Sequence, residues 1–390
     1  MKNKSYFFGM LTGIAIMFVV TVIFFYLRDN DFWGGKMAPN HKVREIFDVL
    51  DKHAINEFDK YELLEYMYDG LVYGLGDPYS AYFDESDLEK FNEQTEGVYG
   101  GVGLEVYLEP EDGLVTVFNV YDGTPGDKAG IVPGDKLVGV DGVDVRGKQL
   151  HEVTSVTKGT PGTEVLLTVY RPETDDTYDI IIIREVISIP TVSHTMHGDI
   201  GYIYIKSFER ITLGQFAQAL RELRQNGMTG LVLDLRNNPG GLLDTVAQIG
   251  NLLLPRGLIT YTENKQGERR YYESDEMSLD LPLVLLINEH SASASEVLAG
   301  AVRDLNAGVL VGTKTFGKGI VQNLFNLSDG SAVKVTVSKY YTPNGTSIHD
   351  VGIIPDYIIE TDEETTRRAG LLDPENDNQL KFAIDLLNGE

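Results

Sequence analysis

The chain has 390 residues, more than a single domain usually holds, which predicts two or three units with ample apolar core. Its 33 basic and 59 acidic residues give a net charge of −26, which repels phosphate backbones and argues against nucleic acid as a partner. The chain contains no cysteine, which excludes disulfides, thiol catalysis and cysteine metal sites and suits an exported protein.

The chain begins with an apolar stretch. Residues 6–27 contain no charged side chain, and 22 residues are enough to cross a hydrocarbon layer of about 30 Å. Because Lys2 and Lys4 precede them, we expect a cytoplasmic tail at 1–5 and a single-pass anchor at 6–27. A cleaved signal peptide is the competing interpretation, but no small-x-small cleavage site follows. The sequence thus predicts a cell-membrane protein whose catalytic bulk is extracytoplasmic.

Residues 28–98 are predicted to form a linker and a helical N-terminal region. Residues 29–40 contain glycine, proline and asparagine, as linkers do. Two helices follow, because apolar residues recur at helical spacing. The apolar positions are Val43, Ile46, Phe47 and Leu50 in the first helix, and Leu63, Leu64, Met67, Tyr68 and Leu71 in the second.

Residues 99–187 are predicted to form a separate module. Gly101, Val102, Gly103 and Leu104 resemble the carboxylate-binding loop of a PDZ domain, and residues 125–145 resemble the core of that domain. In PDZ domains, backbone amides of the loop bind a terminal carboxylate, and the following strand accepts the peptide by β-augmentation. The alternative is a PDZ-shaped support that binds no ligand.

Residues 188–360 alternate between strand and helix patterns. A strand at 200–205, a helix at 214–226 and a strand at 231–235 predict parallel pairing with a right-handed crossover. Residues 234–241 then form a loop at the carboxyl end of a strand, where open α/β sheets bind ligands. The functional interpretation is that this loop donates backbone amides, and the alternative is a Pro-Gly turn into a helix. His194 and His197 lack a third ligand, so we expect neither a metal site nor a cofactor.

A serine cluster follows the apolar run 282–287, which predicts a buried strand. Ser293 and Glu296 match a helix capping box, and a serine there also lies beside amides that can stabilise an oxyanion. Such a serine needs a base, and none of the seven histidines lies in a recognisable triad motif. Burial could keep Lys318 neutral between its two glycines, and Lys314 is the nearest rival.

Three motifs, SASASEVLAGAVRD, TFGKGIVQ and DLRNNPGG, together resemble the signature set of the carboxyl-terminal processing peptidases, also called tail-specific proteases. The resemblance implies a multidomain α/β fold with a crotonase-like serine protease core and an inserted PDZ domain. The predicted fold class is this multidomain α/β fold, preceded by an N-terminal transmembrane helix and a helical N-terminal region. Residues 361–390 are expected to form a C-terminal tail and helix.

The resemblance also assigns roles to residues. Ser293 would be the nucleophile, Lys318 the general base and Gln322 the residue that orients the lysine. Glu296 matches a supporting acidic residue of the family. The oxyanion hole would use the backbone amide of Ala294 and one amide from Gly240 or Gly241.

These roles predict a membrane-anchored serine endopeptidase that recognises the accessible C-termini of polypeptides through its PDZ domain. The alternative is an inactive, membrane-tethered PDZ adaptor. The family implies that the N-terminal helices take part in homodimers. In a straight strand, Lys318 and Gln322 would lie roughly 13 Å apart, so we expect the backbone between them to depart from a strand.

Overall fold

The computed structural model describes Met17 and residues 39–275, 279–361, 365, 370 and 374–389. This part of the chain divides into two compact units between Tyr68 and Asp69. The predicted domain bounds stay predictions.

Two helices open the described chain, α1 at Pro39–His53 and α2 at Lys60–Tyr73, as the apolar spacing predicted. Both present exposed apolar side chains, including Val49 and Leu71, which are 57% and 74% exposed. The predicted homodimer stays a prediction.

The predicted fold class needs one correction, which concerns the transmembrane helix at 6–27. None of the helices in the described residues is long and apolar enough to cross a membrane. Apart from Met17, the predicted span itself lies outside those residues. The prediction was made from hydropathy and length alone, and we withdraw the transmembrane helix from the fold class. The corrected class is multidomain α/β.

The PDZ region is built on an antiparallel sheet in the order β3-β4-β5-β7-β8, with β6 on β5. Its core consists of alternate strand residues such as Val115 and Val117, and Val165 and Leu167. Strands β2 and β9 pair with each other where the chain enters and leaves the region. The elements are β2 Val98–Gly101, β3 Leu104–Leu108, β4 Val115–Val120, α4 Pro125–Lys128, β5 Lys136–Val140, β6 Val143–Asp144, α5 Leu150–Thr157, β7 Glu164–Arg171, β8 Asp176–Ile183 and β9 Glu185–Ser188; β1 Ala81–Phe83 and α3 Glu85–Glu96 precede them.

A six-stranded sheet in the order β10-β11-β12-β15-β16-β19 forms the centre of the following region. Its strands are parallel except β10, which pairs antiparallel with β11, and β12 and β15 are buried on both faces. Residues such as Leu233 pack on one face against α6, α7 and α8, and Val232 packs on the other face against α9. The elements are β10 Val192–His197, β11 Ile200–Ile205, α6 Thr212–Gln225, β12 Gly230–Asp234, α7 Leu243–Leu253, β15 Leu283–Ile287, α8 Ala294–Asp304, β16 Val309–Gly312, β19 Tyr357–Ile358 and α9 Asn378–Asn388.

A second sheet has the order β1-β18-β13-β14, and β17 pairs with β18. It joins β1, which lies ahead of the PDZ region in the sequence, to strands that come after that region. The remaining strands are β13 Gly257–Asn264, β14 Arg269–Ser274, β17 Ile320–Asn326 and β18 Ala332–Tyr341.

A buried ion cluster joins the loop after β12 to the start of α9. Arg236 is 1% exposed and donates hydrogen bonds to the carboxylates of Asp234 and Asp377 and to the side-chain oxygen of Gln379. The Tyr202 hydroxyl donates to Asp234 at 2.6 Å. Because both carboxylates are paired with the guanidinium, the C-terminal helix fixes the position of this loop.

Candidate active site

Three serines follow strand β15, and their hydroxyls lie in different surroundings. The Ser291 hydroxyl donates to the carbonyl oxygen of Leu235 at 2.8 Å, and the Ser295 hydroxyl donates to that of Asn238 at 3.0 Å. Both of these serines are fully buried. Ser293 is half-buried and lines a cavity of about 250 Å³. Of the three, Ser293 is therefore the serine that a substrate can reach.

Ser293 lies at the turn from β15 into α8 with a backbone conformation unusual for serine. Its φ of 55° and ψ of −112° lie outside the regions that L-residues favour, at a cost of about 1–3 kcal/mol. Strained strand-to-helix turns of this kind expose the nucleophile in α/β-hydrolases. The strain therefore marks Ser293 as a candidate functional residue.

The predicted oxyanion donors lie together around Ser293. Ala294 is the first residue of α8, where amides lack helical acceptors. A methyl group on Gly240 would lie 2.8 Å from the Cβ of Ser293 and 3.0 Å from the Ala294 nitrogen, so the loop touches the helix start. The Gly240 amide donates to Asn238 Oδ1 at 2.9 Å, whereas Gly241 lines the Ser293 cavity. Gly241 is therefore the better second donor.

Glu296 links the start of α8 to the loop that carries the predicted base. Its fully buried carboxylate accepts four hydrogen bonds, from the Ser293 amide at 2.9 Å, the Thr315 hydroxyl at 2.6 Å, the Gly317 amide at 2.7 Å and the Lys318 amide at 2.8 Å. A carboxylate at a helix N-terminus is also favoured by the helix dipole. One side chain thus holds the backbones of Ser293 and Lys318 beside each other.

Tyr340 makes a second link between the same two residues. Its hydroxyl contacts the carbonyl oxygen of Ser293 at 3.1 Å and also that of Lys318. The ring is 1% exposed, and burial, together with the charge of Glu296, raises the pKa of the phenol well above its usual value. Tyr340 is therefore a neutral donor at physiological pH.

The Lys318 ε-amine is half-buried and lies over the ring of Tyr79, 4.7 Å from the ring centroid. Burial, followed by the charge of Lys334, lowers the pKa of this amine, although nearby carboxylates act in the opposite direction. Among the described residues, the amine makes no hydrogen bond to the Ser293 hydroxyl. The rival Lys314 is exposed, so it lacks the burial that a neutral lysine requires.

Gln322 lines the same cavity as Ser293 but contacts a different residue from the one expected. Its side-chain amide lies 3.4 Å from the hydroxyl of Thr336, and no hydrogen bond joins it to Lys318 within the described chain. Lys318 precedes strand β17, and the strand register shifts between Val321 and Gln322. Ile320, Val321 and Gln322 themselves lie in the strand, so the expected non-extended backbone and the orienting role of Gln322 both stay predictions.

Known proteins show similarity over most of the chain. A model described as Peptidase family S41 matches residues 199–359, and a PDZ domain model matches residues 116–171. A Staphylococcus aureus protein named Probable CtpA-like serine protease is 35% identical over 357 residues, which cover 90% of this chain and 71% of that protein. The chain belongs to peptidase family S41. It is a serine peptidase of the carboxyl-terminal processing type.

Two further similarities agree with this assignment. A Synechocystis protein named Carboxyl-terminal-processing protease is 37% identical over 321 residues, covering 81% of this S41 peptidase and 74% of that protein. The solved structure of an S41 protease candidate from Bacteroides fragilis is 17% identical, with a TM-score of 0.53. That match covers 86% of this chain and 93% of the other, and it shows a shared fold.

In this S41 peptidase, sequence reasoning missed several residues near the predicted base. Asp77 and Tyr79 come from the segment ahead of the PDZ region, and Lys334 and Tyr340 from strand β18. They are far from Lys318 in sequence and belong to no spacing pattern. A signal was Lys334, because a lysine among the apolar residues of a strand requires an explanation.

The predicted PDZ loop lies at the end of an open groove. Gly103 has a φ of +83°, and a Cβ there would lie 2.3 Å from the Cβ of Thr124, so this position requires glycine. Val102 and Leu104 line a small, mainly apolar pocket of about 50 Å³, which Thr154 and Thr157 of α5 close on the other side. Strand β3 lies at the edge of its sheet, where a peptide can add as a further strand.

His194 and His197 lie in strand β10. The His194 Nε2 atom is 2.9 Å from the Glu222 carboxylate. Within the described residues, no group of three or more histidine, cysteine or acidic side chains could hold a metal ion.

Proposed function

We propose that this serine peptidase cleaves polypeptides with Ser293 as nucleophile and Lys318 as general base. The observation that supports this most strongly is the hydrogen bonding of Glu296, which ties the Lys318 backbone to the start of the Ser293 helix. A single buried carboxylate therefore fixes the two backbones relative to each other, as a catalytic pair requires.

The proposed reaction begins with a neutral Lys318, which accepts the proton of the Ser293 hydroxyl while the serine oxygen attacks the peptide carbonyl carbon. The amides of Ala294 and Gly241 stabilise the negative charge on the carbonyl oxygen. The C–N bond then breaks, and the leaving amine takes the proton from Lys318. Water attacks the acyl-enzyme in the same way, with Lys318 again accepting and returning a proton.

The amine must move before this reaction. The Lys318 backbone is held by Glu296 and Tyr340, whereas its side chain lies over Tyr79. We propose that rotation about the side-chain bonds brings the amine to Ser293 while the loop stays in place.

We also propose that the PDZ region recognises the C-terminal end of the substrate. The glycine loop supplies backbone amides for a carboxylate, and the pocket beside it accepts an apolar side chain of small size. Deletion of residues 99–187 should therefore abolish the preference for free C-termini. Unchanged cleavage of the same substrate by the deletion variant would contradict this role.

Extracytoplasmic polypeptides are the proposed substrates. The support comes from the sequence, which has an uncharged apolar stretch after two lysines and no cysteine. Protease added to intact cells should digest the peptidase core if it lies outside the cytoplasm. Protection of the core until the cells are lysed would contradict this location.

The test of the catalytic pair is cleavage of an unfolded protein by the full chain. Ser293→Ala and Lys318→Ala should each remove activity, whereas Lys314→Ala, a lysine change on the same loop but in solvent, should retain it. Activity that survives both of the first two changes would reject the pair. No cleavage by the unaltered protein at any pH would favour the PDZ adaptor.

A further inference from the structure

A segment ahead of the PDZ region reaches the predicted base of the peptidase core. Tyr79 places its ring 4.7 Å from the Lys318 Nζ atom, and Asp77 lies close enough for its charge to act on the same amine. The segment continues into β1, which pairs with β18 through Ala81 and Lys334. The wall of the lysine site is thus built partly from residues that come before the PDZ region in the sequence.

Hydrogen bonds hold this segment in a defined position. The Asp77 carboxylate accepts from the Ser80 hydroxyl at 2.6 Å and from the Tyr79 amide at 3.1 Å. The Ser80 hydroxyl oxygen in turn accepts from the Thr336 amide of β18 at 3.2 Å. Burial raises the pKa of Asp77, but these hydrogen bonds and the charge of Lys318 outweigh it, so the pKa is lowered overall. Asp77 is therefore ionised at neutral pH.

A second cation, Lys334, lies close enough for its charge to act on the same amine. Lys334 places its Nζ atom 5.3 Å from the ring centroid of Phe83 and 5.4 Å from that of Phe91, so its position is fixed by two aromatic rings. Its charge disfavours a second charge on Lys318, whereas that of Asp77 favours one. Two fixed charges of opposite sign therefore act on one amine.

The charged and titratable groups around Lys318 come from three elements. The segment before β1 contributes Asp77 and Tyr79, strand β18 contributes Lys334 and Tyr340, and helix α8 contributes Glu296. All four hydrogen bonds of Glu296 and the hydroxyl of Tyr340 are occupied in holding the backbone around Lys318, and Tyr340 is neutral. Asp77 and Lys334 are thus the groups that can tune the amine.

We propose that Asp77, Tyr79 and Lys334 are positioning residues of the catalytic lysine, holding its amine against an aromatic face and balancing the charge around it. This inference rests on the proposed function, in which Lys318 is the general base. It makes the segment before the PDZ region a part of the catalytic unit.

The proposal predicts pH shifts of opposite sign. Asp77→Asn removes a charge that favours the ammonium form, so the pKa of Lys318 falls and the rising limb of kcat/KM moves to lower pH. Lys334→Gln removes a charge that disfavours the ammonium form, so the limb moves to higher pH. Damage to folding would lower activity at all pH values without moving the limb in opposite directions.

The experiment measures kcat/KM against pH for the full chain with an unfolded protein substrate. Asp329→Asn and Lys339→Gln are the matched controls. Asp329 accepts from the amide and hydroxyl of Ser331 much as Asp77 accepts from its neighbours, and Lys339 is an exposed lysine of the same strand. Both controls should keep the limb of the unaltered protein.

The ring is tested by two changes at Tyr79. Tyr79→Phe keeps the aromatic face and should retain kcat, whereas Tyr79→Leu should lower kcat by roughly tenfold to a hundredfold because the amine is misplaced. KM should change little in both, since the ring is not expected to touch substrate.

The outcomes separate this inference from the proposed function. An active Lys318→Ala variant would reject Lys318 as the base and with it both proposals. Suppose instead that the Lys318→Ala variant is inactive. If the rising limbs of kcat/KM against pH for Asp77→Asn and Lys334→Gln then do not move, or move in the same direction, only the positioning role is rejected. Opposite shifts with unmoved controls would support it.

Discussion

Replacement of Glu296 by glutamine should destabilise the peptidase core far more than the same change at an ordinary helix start. The two carboxylate oxygens are divided between four donors: Oε1 accepts from Thr315 and Gly317, and Oε2 accepts from Ser293 and Lys318. Glutamine keeps one acceptor oxygen and turns the other position into an NH2 group. With the NH2 group at the Oε2 position, the amides of Ser293 and Lys318 both face a donor. At the Oε1 position only the Gly317 amide does, because the Thr315 hydroxyl can rotate and accept.

The magnitude follows from burial. Glu296 is 0% exposed, so water cannot replace the lost acceptors. Each buried donor left without an acceptor costs about 1–3 kcal/mol, which gives a loss of roughly 1–3 kcal/mol with the NH2 group at Oε1 and roughly 2–6 kcal/mol with it at Oε2. Activity should fall as well, because the lost hydrogen bond is that of Lys318 or of its neighbour Gly317.

Glu152 provides a matched control, since its carboxylate also accepts a hydrogen bond from a backbone amide at a helix start. It accepts from the Gln149 amide at 2.8 Å, but it is exposed. Glu152→Gln should therefore change the free energy of unfolding by no more than about 0.5 kcal/mol. Urea denaturation followed by circular dichroism measures both variants, and hydrogen exchange at the Gly317 and Lys318 amides reports the local effect. Equal losses in the two variants, or unchanged exchange at these amides, would refute the reasoning.

Three further predictions concern the loop, the ion cluster and the base. Gly240→Ala should lower kcat by about a hundredfold or more, because the new methyl group would lie 2.8 Å from the Ser293 Cβ. The control is Gly267→Ala, which should leave kcat unchanged because Gly267 has a similarly positive φ but lies in open space. Arg236→Met should cost about 3–5 kcal/mol of stability in urea denaturation by leaving two buried carboxylates unpaired, whereas Arg210→Met, at an exposed pair, should cost about 1 kcal/mol or less. Because burial lowers the pKa of Lys318, kcat/KM should rise with pH, and the midpoint of the rise should lie below the ordinary lysine pKa of about 10.4. A midpoint above that value, an active Gly240→Ala variant, or equal losses in the two arginine variants would each contradict the corresponding claim.

The strand-turn-helix unit around Ser293 was predictable because its signals are local. An apolar run of β-branched and leucine residues, a serine cluster and a capping box follow one another directly, and the structure has β15 at Leu283–Ile287 and α8 at Ala294–Asp304. The two N-terminal helices, likewise, were predicted from apolar spacing. In each case, the pattern lies within about four turns of the residues it concerns.

The surroundings of the lysine could not be predicted, because they depend on contacts between distant strands. Nothing in the motif around Lys318 indicates that Tyr79 forms one wall of its site or that Tyr340 reaches its carbonyl oxygen. The partner of Gln322 also follows from the pairing of β17 with β18, which brings Thr336 opposite it. Such pairings become visible only with the sheet register.

The stretch at 6–27 has the length and hydropathy of a span but lies, apart from Met17, outside the described residues, and no helix within those residues meets the requirements for one. The ion cluster shows a limit of the sequence argument. A C-terminal helix was expected near Leu380, but nothing in the sequence indicated that Asp377 at its start pairs with Arg236.

The most direct test of the catalytic pair is a crystal structure of the protein with a peptide boronic acid, which forms a tetrahedral adduct with a nucleophilic serine. We predict a bond from boron to the Ser293 oxygen, a boronate oxygen within hydrogen-bond distance of the Ala294 amide, and Lys318 Nζ about 2.6–3.2 Å from the serine oxygen. An adduct on another residue, or a Lys318 amine that stays out of reach while boron is bound to Ser293, would contradict the account.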